Sequence, residues 1–526
     1  MNDPRHPSSY GRAGVYDIVS RHAAIRPEAE ALVEGSLRLS FDAVKQRVDA
    51  LGKALMASRV GHGDRVFVVA PPGIMFFELF LATASIGAVW CGGNPRYKAG
   101  EFEHLLADVD PALVVVQSPF DGRDYAAELK AIDDQRQFIL FAGPGDPQWD
   151  KFMARGAAIS DEQHQQAIAR VQTEDVAQLV YTSGTTGRPK GAMLSQRAVV
   201  WCALSSVAWM GDALVTTIMC APISHVGGLN FVCMNVFTYG GKLVFHERVD
   251  MAVLAQLTVN ELPTYLVAGP TAFAMLLAMP GFDPKAFFGI YKLITFGGAP
   301  TPEEVLKVIG RSGARMATIY GQTETTSCAA ASPEGVSLEV MASTIGRELE
   351  GVQIRIASAE GQELPAGEVG EIQVKGPCVM SGYHRNEQAT REAFTADGFL
   401  KTGDLGQRRA DGFIVVVGRL KEMFKSGGYN VYPLEVENAI NQYPGVQLSV
   451  VVPMPDDKYQ EVGHAFVMPA GAAELSTDAL TAFLKDRIAN YKVPKQFSVV
   501  RELPMLSSGK VDRKLLRESV RSGTPV

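Results

Sequence analysis

The sequence predicts an α/β protein: a large N-terminal domain of two layered α/β subdomains plus a β-hairpin subdomain, then a small α+β C-terminal domain. Three observations lead there. Strand-length apolar runs alternate with helix-period segments through most of the chain. From about Ile345 to Val417 the pattern changes to short alternating segments broken by Gly361, Gly367, Gly376, Gly398 and the Asp411–Gly412 pair, which reads as antiparallel hairpins. After Gly418 the charged segment Arg419–Leu420–Lys421–Glu422 precedes a last unit with its own order of helices and strands.

In chain order, Phe41, Val44, Val48, Leu51 and Leu55 follow one face of a helix, with Ser40 as N-cap and Asp42 favourable in the first turn. An apolar run at Val66–Ala70, a helix near Glu101–Ala107 and a run at Leu113–Val116 continue the alternation. Further strands are expected at Leu179–Tyr181, Lys242–Phe245, Tyr265–Val267 and Leu293–Phe296, with a helix after Ser195. The last unit reads as a helix at Leu434–Asn441, strands at Gln447–Val452 and Ala465–Met468, a helix at Asp478–Ile488 and a strand near Phe497–Val500. The expected domains are residues 1–418, a hinge at 419–423, and residues 424–526.

Composition narrows the function classes. Of 526 residues, 47% are hydrophobic and 20% charged, which excludes disordered, collagenous and disulfide-scaffold chains. Lys and Arg number 50 against 57 Asp and Glu, a net charge of -7, with no basic stripe to track a polymer of phosphates, so no nucleic-acid partner is expected. Six cysteines form no CxxC or CxxH pair and read as reduced core residues, pointing to a cytoplasmic protein. The first 14 residues are polar and show no secretion signal. The best membrane-spanning candidate, Ile74–Cys91, carries Glu78 and Gly87 and lacks basic flanks. It is expected to be a buried helix, leaving no transmembrane segment.

The stretch Tyr181–Thr182–Ser183–Gly184–Thr185–Thr186–Gly187–Arg188–Pro189–Lys190–Gly191 concentrates hydroxyls, glycines and one lysine between two apolar runs. Glycines let backbone N–H groups approach an anion, hydroxyls donate to phosphate oxygens, and Lys190 adds a point charge. The GxxxxGK[ST] spacing of a Walker A loop is absent, so this is a different phosphate cradle. No GxSxG elbow or paired Cys and His motif points to a covalent nucleophile.

The stretch resembles the phosphate loop of the adenylate-forming superfamily, which includes acyl-CoA synthetases, adenylation domains of peptide synthetases and firefly luciferase. Further matches follow in that family's order and cover nearly the whole chain. Ala221–Pro222–Ile223–Ser224–His225 resembles the motif whose histidine lies near the acyl carboxylate. Gly297–Gly298–Ala299–Pro300 and Tyr320–Gly321–Gln322–Thr323–Glu324–Thr325 resemble the adenine wall and the magnesium-binding glutamate, Glu324. Gly367–Glu368–Val369–Gly370–Glu371 matches a structural motif, and Thr402–Gly403–Asp404 the ribose-binding aspartate, with Arg419 able to donate to the same sugar. Lys421 matches the family's hinge, Ser426–Gly427–Gly428–Tyr429 the channel for the thiol acceptor, and Ser508–Gly509–Lys510 the catalytic lysine motif.

The resemblance implies a ligase using ATP, Mg2+ and coenzyme A, in which a carboxylate forms an acyl adenylate that a thiol converts to a thioester. It also implies a mobile C-terminal domain turning about Lys421 and delivering Lys510 for the first step. The chain ends at Val526 without a carrier module, which favours free coenzyme A as acceptor. No Asp or Glu lies between His225 and Phe245. The expected acyl pocket, with His225, Gly227, Gly228, Phe231, Val267, Gly297 and Ala299, therefore suits an uncharged, mainly apolar fatty, branched or aryl acid, the paired glycines leaving room. The alternatives are an enzyme loading a separate carrier protein, an oxidative light-emitting relative, and a binding protein of the same fold. A homodimer and a lysine acyltransferase acting on Lys510 are the protein partners considered. Glu422 stands where the family more often has Asp, and Gln196 where His or Asn is common.

Overall fold

The computed structural model describes residues 14–143, 145–182, 189–247, 251–298, 301–470, 475–506 and 511–524. The chain forms two compact units, Met1–Gln353 with Val374–Leu400, and Ile354–Gln373 with Lys401–Val526. The expected boundary at 418 lies inside the second.

The first unit holds two mainly parallel sheets. In the seven-stranded one, Val89–Gly93, Arg65–Val69, Leu113–Gln117 and Phe138–Phe141 run parallel beside Val176–Thr182. The nine-stranded one has a parallel centre that includes Tyr265–Ala268, Leu293–Gly297 and Arg315–Tyr320. The helix Phe41–Ala57 forms as its spacing requires: Ser40 caps it by accepting from the Ala43 amide at 3.2 Å, and Val44, Val48, Leu51 and Leu55 are buried.

The apolar stretch Ile74–Cys91 is not one helix. The helix ends at Ser85, Gly87 takes a left-handed φ of 72°, and Val89–Gly93 turns into a strand paired with Arg65–Val69. All twelve helical residues are buried, and Glu78 is held there by two hydrogen bonds from Arg47, at 2.6 and 2.8 Å. Among the described residues the helical run long and apolar enough to cross a membrane is instead Gln196–Val215, of whose most apolar window 61% is buried within the fold. Gln196 is itself buried, accepting from the Val15 amide and donating to the Ala84 carbonyl, at 2.9 Å each.

The second unit has a four-stranded sheet of Gln353–Ala357, Gly370–Lys375, Leu400–Arg408 and Ile414–Arg419. A five-stranded sheet follows, centred on the long hairpin Val446–Asp456 with Gln460–Pro469. Helices Pro433–Ile440 and Thr477–Lys485 match the expected ones, and Arg513–Ser522 is an additional helix capped by Asp512. The stretch expected as continuous hairpins is divided: Gly382–Tyr383 pairs with Lys190–Ser195 in the first unit's sheet, and Glu387–Ala393 is helical. Backbone groups at 382–383 find their partners on an open strand of that sheet, which local alternation cannot reveal.

Two buried polar groups set stability. Arg513 donates to both oxygens of buried Glu437 at 2.7 Å each and to the Val451 carbonyl. Removing one member leaves an uncompensated buried charge, so Glu437→Ala is expected to destabilise the protein by about 3–5 kcal/mol in chemical denaturation. His22, also buried, donates from Nε2 to the Thr238 carbonyl at 2.8 Å, and burial lowers its pKa from 6.5 to about 4. Its neutral form is favoured by folding, so its contribution is complete above pH 6.5 and is lost as pH falls from there to about 4. The loss amounts to about 3 kcal/mol. Stability measured across that range should fall less steeply in His22→Gln than in the parent.

Candidate active site

Strands Val176–Thr182 and Lys190–Ser195 pair antiparallel with Thr182 opposite Lys190, which brings the two ends of the phosphate-loop segment side by side. Ser183, Gly184, Thr185 and Thr186 lie outside the described residues. One face of the helix Ala99–Val109 braces both arms. Its Asp108 accepts from the Tyr181 hydroxyl, and its His104, one turn earlier, donates from Nε2 to the Pro189 carbonyl at 2.9 Å. A Cβ on Gly191 would meet the Tyr181 ring at 3.0 Å, so that glycine makes room for the aromatic side chain opposite it.

Glu324 sits on a single 3-10 turn, Thr323–Thr325, after the strand Arg315–Tyr320. Gly321 is required there, because a Cβ would lie 1.8 Å from the Ser327 carbonyl oxygen. The turn is closed by the Gln322 amide donating to Thr325 Oγ1 at 2.9 Å. Behind it runs a buried polar chain: Gln178 donates to Asn230 Oδ1 at 2.8 Å, Asn230 to the Thr326 carbonyl at 2.8 Å, and Thr326 Oγ1 to the Cys378 carbonyl at 2.6 Å. Each link satisfies a group that would otherwise be costly to bury. The Met380 amide donates to the Glu324 carbonyl at 2.9 Å, and the Tyr383 hydroxyl donates to Glu324 Oε1 at 2.7 Å. The Lys190 ammonium lies 4.1 Å from the centre of the Tyr383 ring. Lys190 and Glu324, far apart in sequence, thus meet through one side chain.

The residues expected on the acyl side divide into exposed and packed ones. His225 is exposed, and its Nδ1 accepts from the Gly227 amide at 3.1 Å, which places the proton of the neutral ring on Nε2. The segment Gly227–Met234 is a π-helix continued by Asn235–Tyr239, with no charged side chain. At Gly228 the structure corrects the expectation that the paired glycines leave room. A Cβ on Gly228 would lie 2.2 Å from the Pro222 carbonyl oxygen, so this glycine permits close backbone contact, and Phe231 is buried. Gly297 likewise packs against Ile319 of the neighbouring strand. Val267 and Gly297 stand at the carboxyl ends of parallel strands, where open α/β sheets place their ligands. Gly298 has a φ of 79°, and Ala299 and Pro300 lie outside the described residues.

In the second unit Asp404 and Arg419 are opposite each other on paired strands, with Arg419 Nε 3.1 Å from Asp404 Oδ1. The aspartate is buried and the arginine half-exposed, so the pair presents a fixed acceptor and donor together. Gly403, at a φ of 71°, turns the chain before Asp404, and its amide donates to Glu371 Oε1 at 3.1 Å. Glu371 of the structural motif is therefore an anchor for the aspartate's turn. Gly427 and Gly428, at φ 58° and 86°, form the two-residue turn between Phe424–Ser426 and Tyr429–Val431. Positive φ at both positions is what this hairpin demands, an independent reason for the paired glycines. Exposed Tyr429 stacks on Tyr491 with ring centres 4.8 Å apart. Lys421 is exposed, and its neighbour Glu422 lies 3.5 Å from Arg513. Lys510 lies outside the described residues. The segment bearing it is pinched at its base, where Met505 pairs with Val511 and the Asp512 amide donates to the Pro504 carbonyl at 2.8 Å.

Among the described residues no three His, Cys, Asp or Glu side chains gather as a metal cage. One carboxylate, Glu324, beside the Tyr383 hydroxyl and across that ring from Lys190 fits Mg2+, which keeps several waters and is bound by one or two carboxylates plus substrate phosphates. The cysteines are all unpaired, and burial pushes Cys328 and Cys378 up to about 12. Tyr383 and the Gln178–Asn230–Thr326 chain escaped sequence reasoning, and Glu371 was read only as part of a structural motif, since each acts on a partner distant in the chain. The only local hint at Tyr383 was an aromatic residue directly after Gly382 in a stretch of small residues.

Comparison with known proteins agrees with this geometry. A family model described as AMP-binding enzyme matches residues 19–384, and one for the AMP-binding enzyme C-terminal domain matches residues 435–510. The chain is 33% identical to a feruloyl-CoA synthase from an Amycolatopsis species, over 93% of this chain and 96% of that protein. It is 32% identical to indoleacetate–CoA ligase from Aromatoleum aromaticum, over 95% and 97%. Among solved structures it is similar to ATP-bound MatB from Rhodopseudomonas palustris, with a TM-score of 0.86, 29% identity, and 98% and 100% of the two chains covered. It is also similar to o-succinylbenzoate CoA synthetase from Bacillus subtilis with ATP and magnesium ion, with a TM-score of 0.80, 26% identity, and 96% and 99% covered. The chain accordingly belongs to the AMP-binding enzyme family, as an AMP-forming acyl-CoA synthetase that uses ATP, Mg2+ and coenzyme A to join a small carboxylic acid to a thiol.

Proposed function

We propose that this synthetase activates an uncharged, mainly apolar carboxylic acid, of fatty, branched or aryl type. The observation that carries the reading is the helical segment Gly227–Tyr239, which follows His225 and holds no charged side chain. Two of the relatives, at 33% and 32% identity, are named for feruloyl and indoleacetate substrates, both aryl acids. An uncharged wall favours such acids because a second carboxylate would lose its hydration there without gaining a partner.

In the first step a carboxylate oxygen attacks the α-phosphorus of ATP and pyrophosphate leaves. In the second a thiol attacks the acyl carbonyl and AMP leaves. The protein supplies position and charge. The 182–190 turn with Lys190 cradles the phosphates, and Gly298, Ala299, Pro300 and Tyr320–Thr323 enclose the adenine. Asp404 and Arg419 take the ribose hydroxyls. His225 directs its Nε2 proton to the acyl carboxylate. Glu324 is the carboxylate that holds Mg2+, which when bound neutralises phosphate charge. Lys510 offsets the charge that grows as carboxylate and α-phosphate meet, and donors of this kind contribute roughly 10²–10³ in rate.

The domains divide at the 419–423 hinge, and Lys421 is the residue about which residues 424–526 turn between steps, bringing Ser426–Tyr429 to the reacting centre. Acylation of Lys510 by a lysine acyltransferase removes its charge and switches the first step off. The protein works in the cytoplasm, in keeping with six unpaired cysteines, and as a homodimer.

Two measurements test this reading. Pyrophosphate release over a panel of aryl, branched, fatty and dicarboxylic acids should favour the uncharged members by at least tenfold in kcat/KM; a preference for dicarboxylates would overturn the substrate class. Lys510→Ala should lose adenylation by roughly 10²–10³ yet convert supplied acyl adenylate to thioester at near the parent rate. Equal loss of both half-reactions in a folded variant would contradict the assigned division.

A further inference from the structure

Tyr383 is placed by contacts on every side. Gly382 and Tyr383 add a two-residue strand to Lys190–Ser195, with Tyr383 opposite Ala192. The Ser381 and His384 amides donate to the Met193 and Gly191 carbonyls at 2.9 and 2.8 Å, and the Tyr383 amide donates to Thr390 Oγ1 at 2.8 Å. Gly382 is tied in too, since a Cβ there would lie 2.7 Å from the Thr390 methyl carbon. The ring so fixed is 8% exposed. Its hydroxyl donates to Glu324 Oε1 at 2.7 Å while its face receives the Lys190 ammonium at 4.1 Å.

An ammonium and a carboxylate that share one tyrosine as partner would, without it, be free to approach and pair with each other in the empty enzyme. Such a pair satisfies each charge with the other and must be broken before a triphosphate reaches the lysine and a cation reaches the glutamate. The tyrosine offers each charge a weaker, neutral partner. The ring's negative face attracts the ammonium, and the hydroxyl takes only one carboxylate oxygen. With the hydroxyl on Oε1, Oε2 remains for a cation, and no charge is cancelled.

We infer that Tyr383 is a positioning residue that separates Lys190 from Glu324 before the nucleotide arrives, keeping the ammonium available to phosphate and the carboxylate oriented for Mg2+. The inference rests on the roles proposed above for Lys190 and Glu324. Tyr383→Phe keeps the ring under the ammonium and removes the tether on Glu324. Tyr383→Leu removes both.

The test uses the full-length enzyme and calorimetric binding of a non-hydrolysable ATP analogue across a Mg2+ series, beside steady-state adenylation. In Tyr383→Phe the Mg2+ concentration for half-maximal analogue binding should rise about tenfold, the size expected for a lost hydrogen bond to a charged group. Analogue affinity at saturating Mg2+ should stay within twofold. Tyr383→Leu should raise the Mg2+ requirement equally and also weaken analogue binding at saturating Mg2+ several-fold. Lys190→Ala and Glu324→Gln serve as references. If neither reference changes analogue or Mg2+ binding, the assignment of the two charges fails. If both do and the Tyr383 variants keep the parent's Mg2+ dependence, with or without a lower Tm, the separating role is overturned.

Discussion

The antiparallel pairing of Val176–Thr182 with Lys190–Ser195 is the constraint on which the nucleotide half of this enzyme depends. Glycine and hydroxyl residues can serve a phosphate only where the strands on either side of them are held in place. Cross-strand hydrogen bonds hold them, and Asp108 and His104 brace the same two strands from one helix. The outer strand then accepts Gly382–Tyr383 as a further partner. Through that addition the turn bearing Glu324 is joined to the same sheet, and Lys190 and Glu324 share one frame.

A second constraint is charge. Adenylation brings two anions together, so the site must carry cations and oriented donors that do not neutralise one another beforehand. The first unit meets this with a neutral tyrosine between Lys190 and Glu324. In the second unit Asp404 and Arg419 do touch, and there the contact fixes the acceptor in the orientation its partner strand dictates. Elsewhere charge is used for anchorage: Arg47 with Glu78 and Arg513 with Glu437 tie one helix to another, and Arg513 also approaches Glu422.

Much of the fold was legible because periodicity is a local property. The helix after Ser40, the strand Lys242–Phe245 and the helices Pro433–Ile440 and Thr477–Lys485 follow directly from spacing and caps. The reading failed where the outcome depended on a remote partner. Ile74–Cys91 is apolar throughout, and only the parallel partner Arg65–Val69 decides that its end is a strand. Gly228 misled in the same way: it stands where open space was expected and instead permits contact with a carbonyl oxygen.

The residue types needed for nucleotide chemistry, their order along the chain and the uncharged character of the Gly227–Tyr239 segment were determined by sequence alone, because each is a property of composition and spacing. Which of those residues touch was decided by tertiary structure. The link from Lys190 through Tyr383 to Glu324, the buried chain from Gln178 to Cys378, and the tether from Glu371 to Gly403 each join segments that are distant or differently oriented until the sheets assemble. A hydrogen bond or a cation over a ring needs atoms within a few ångströms, and only packing of the whole core sets distances on that scale.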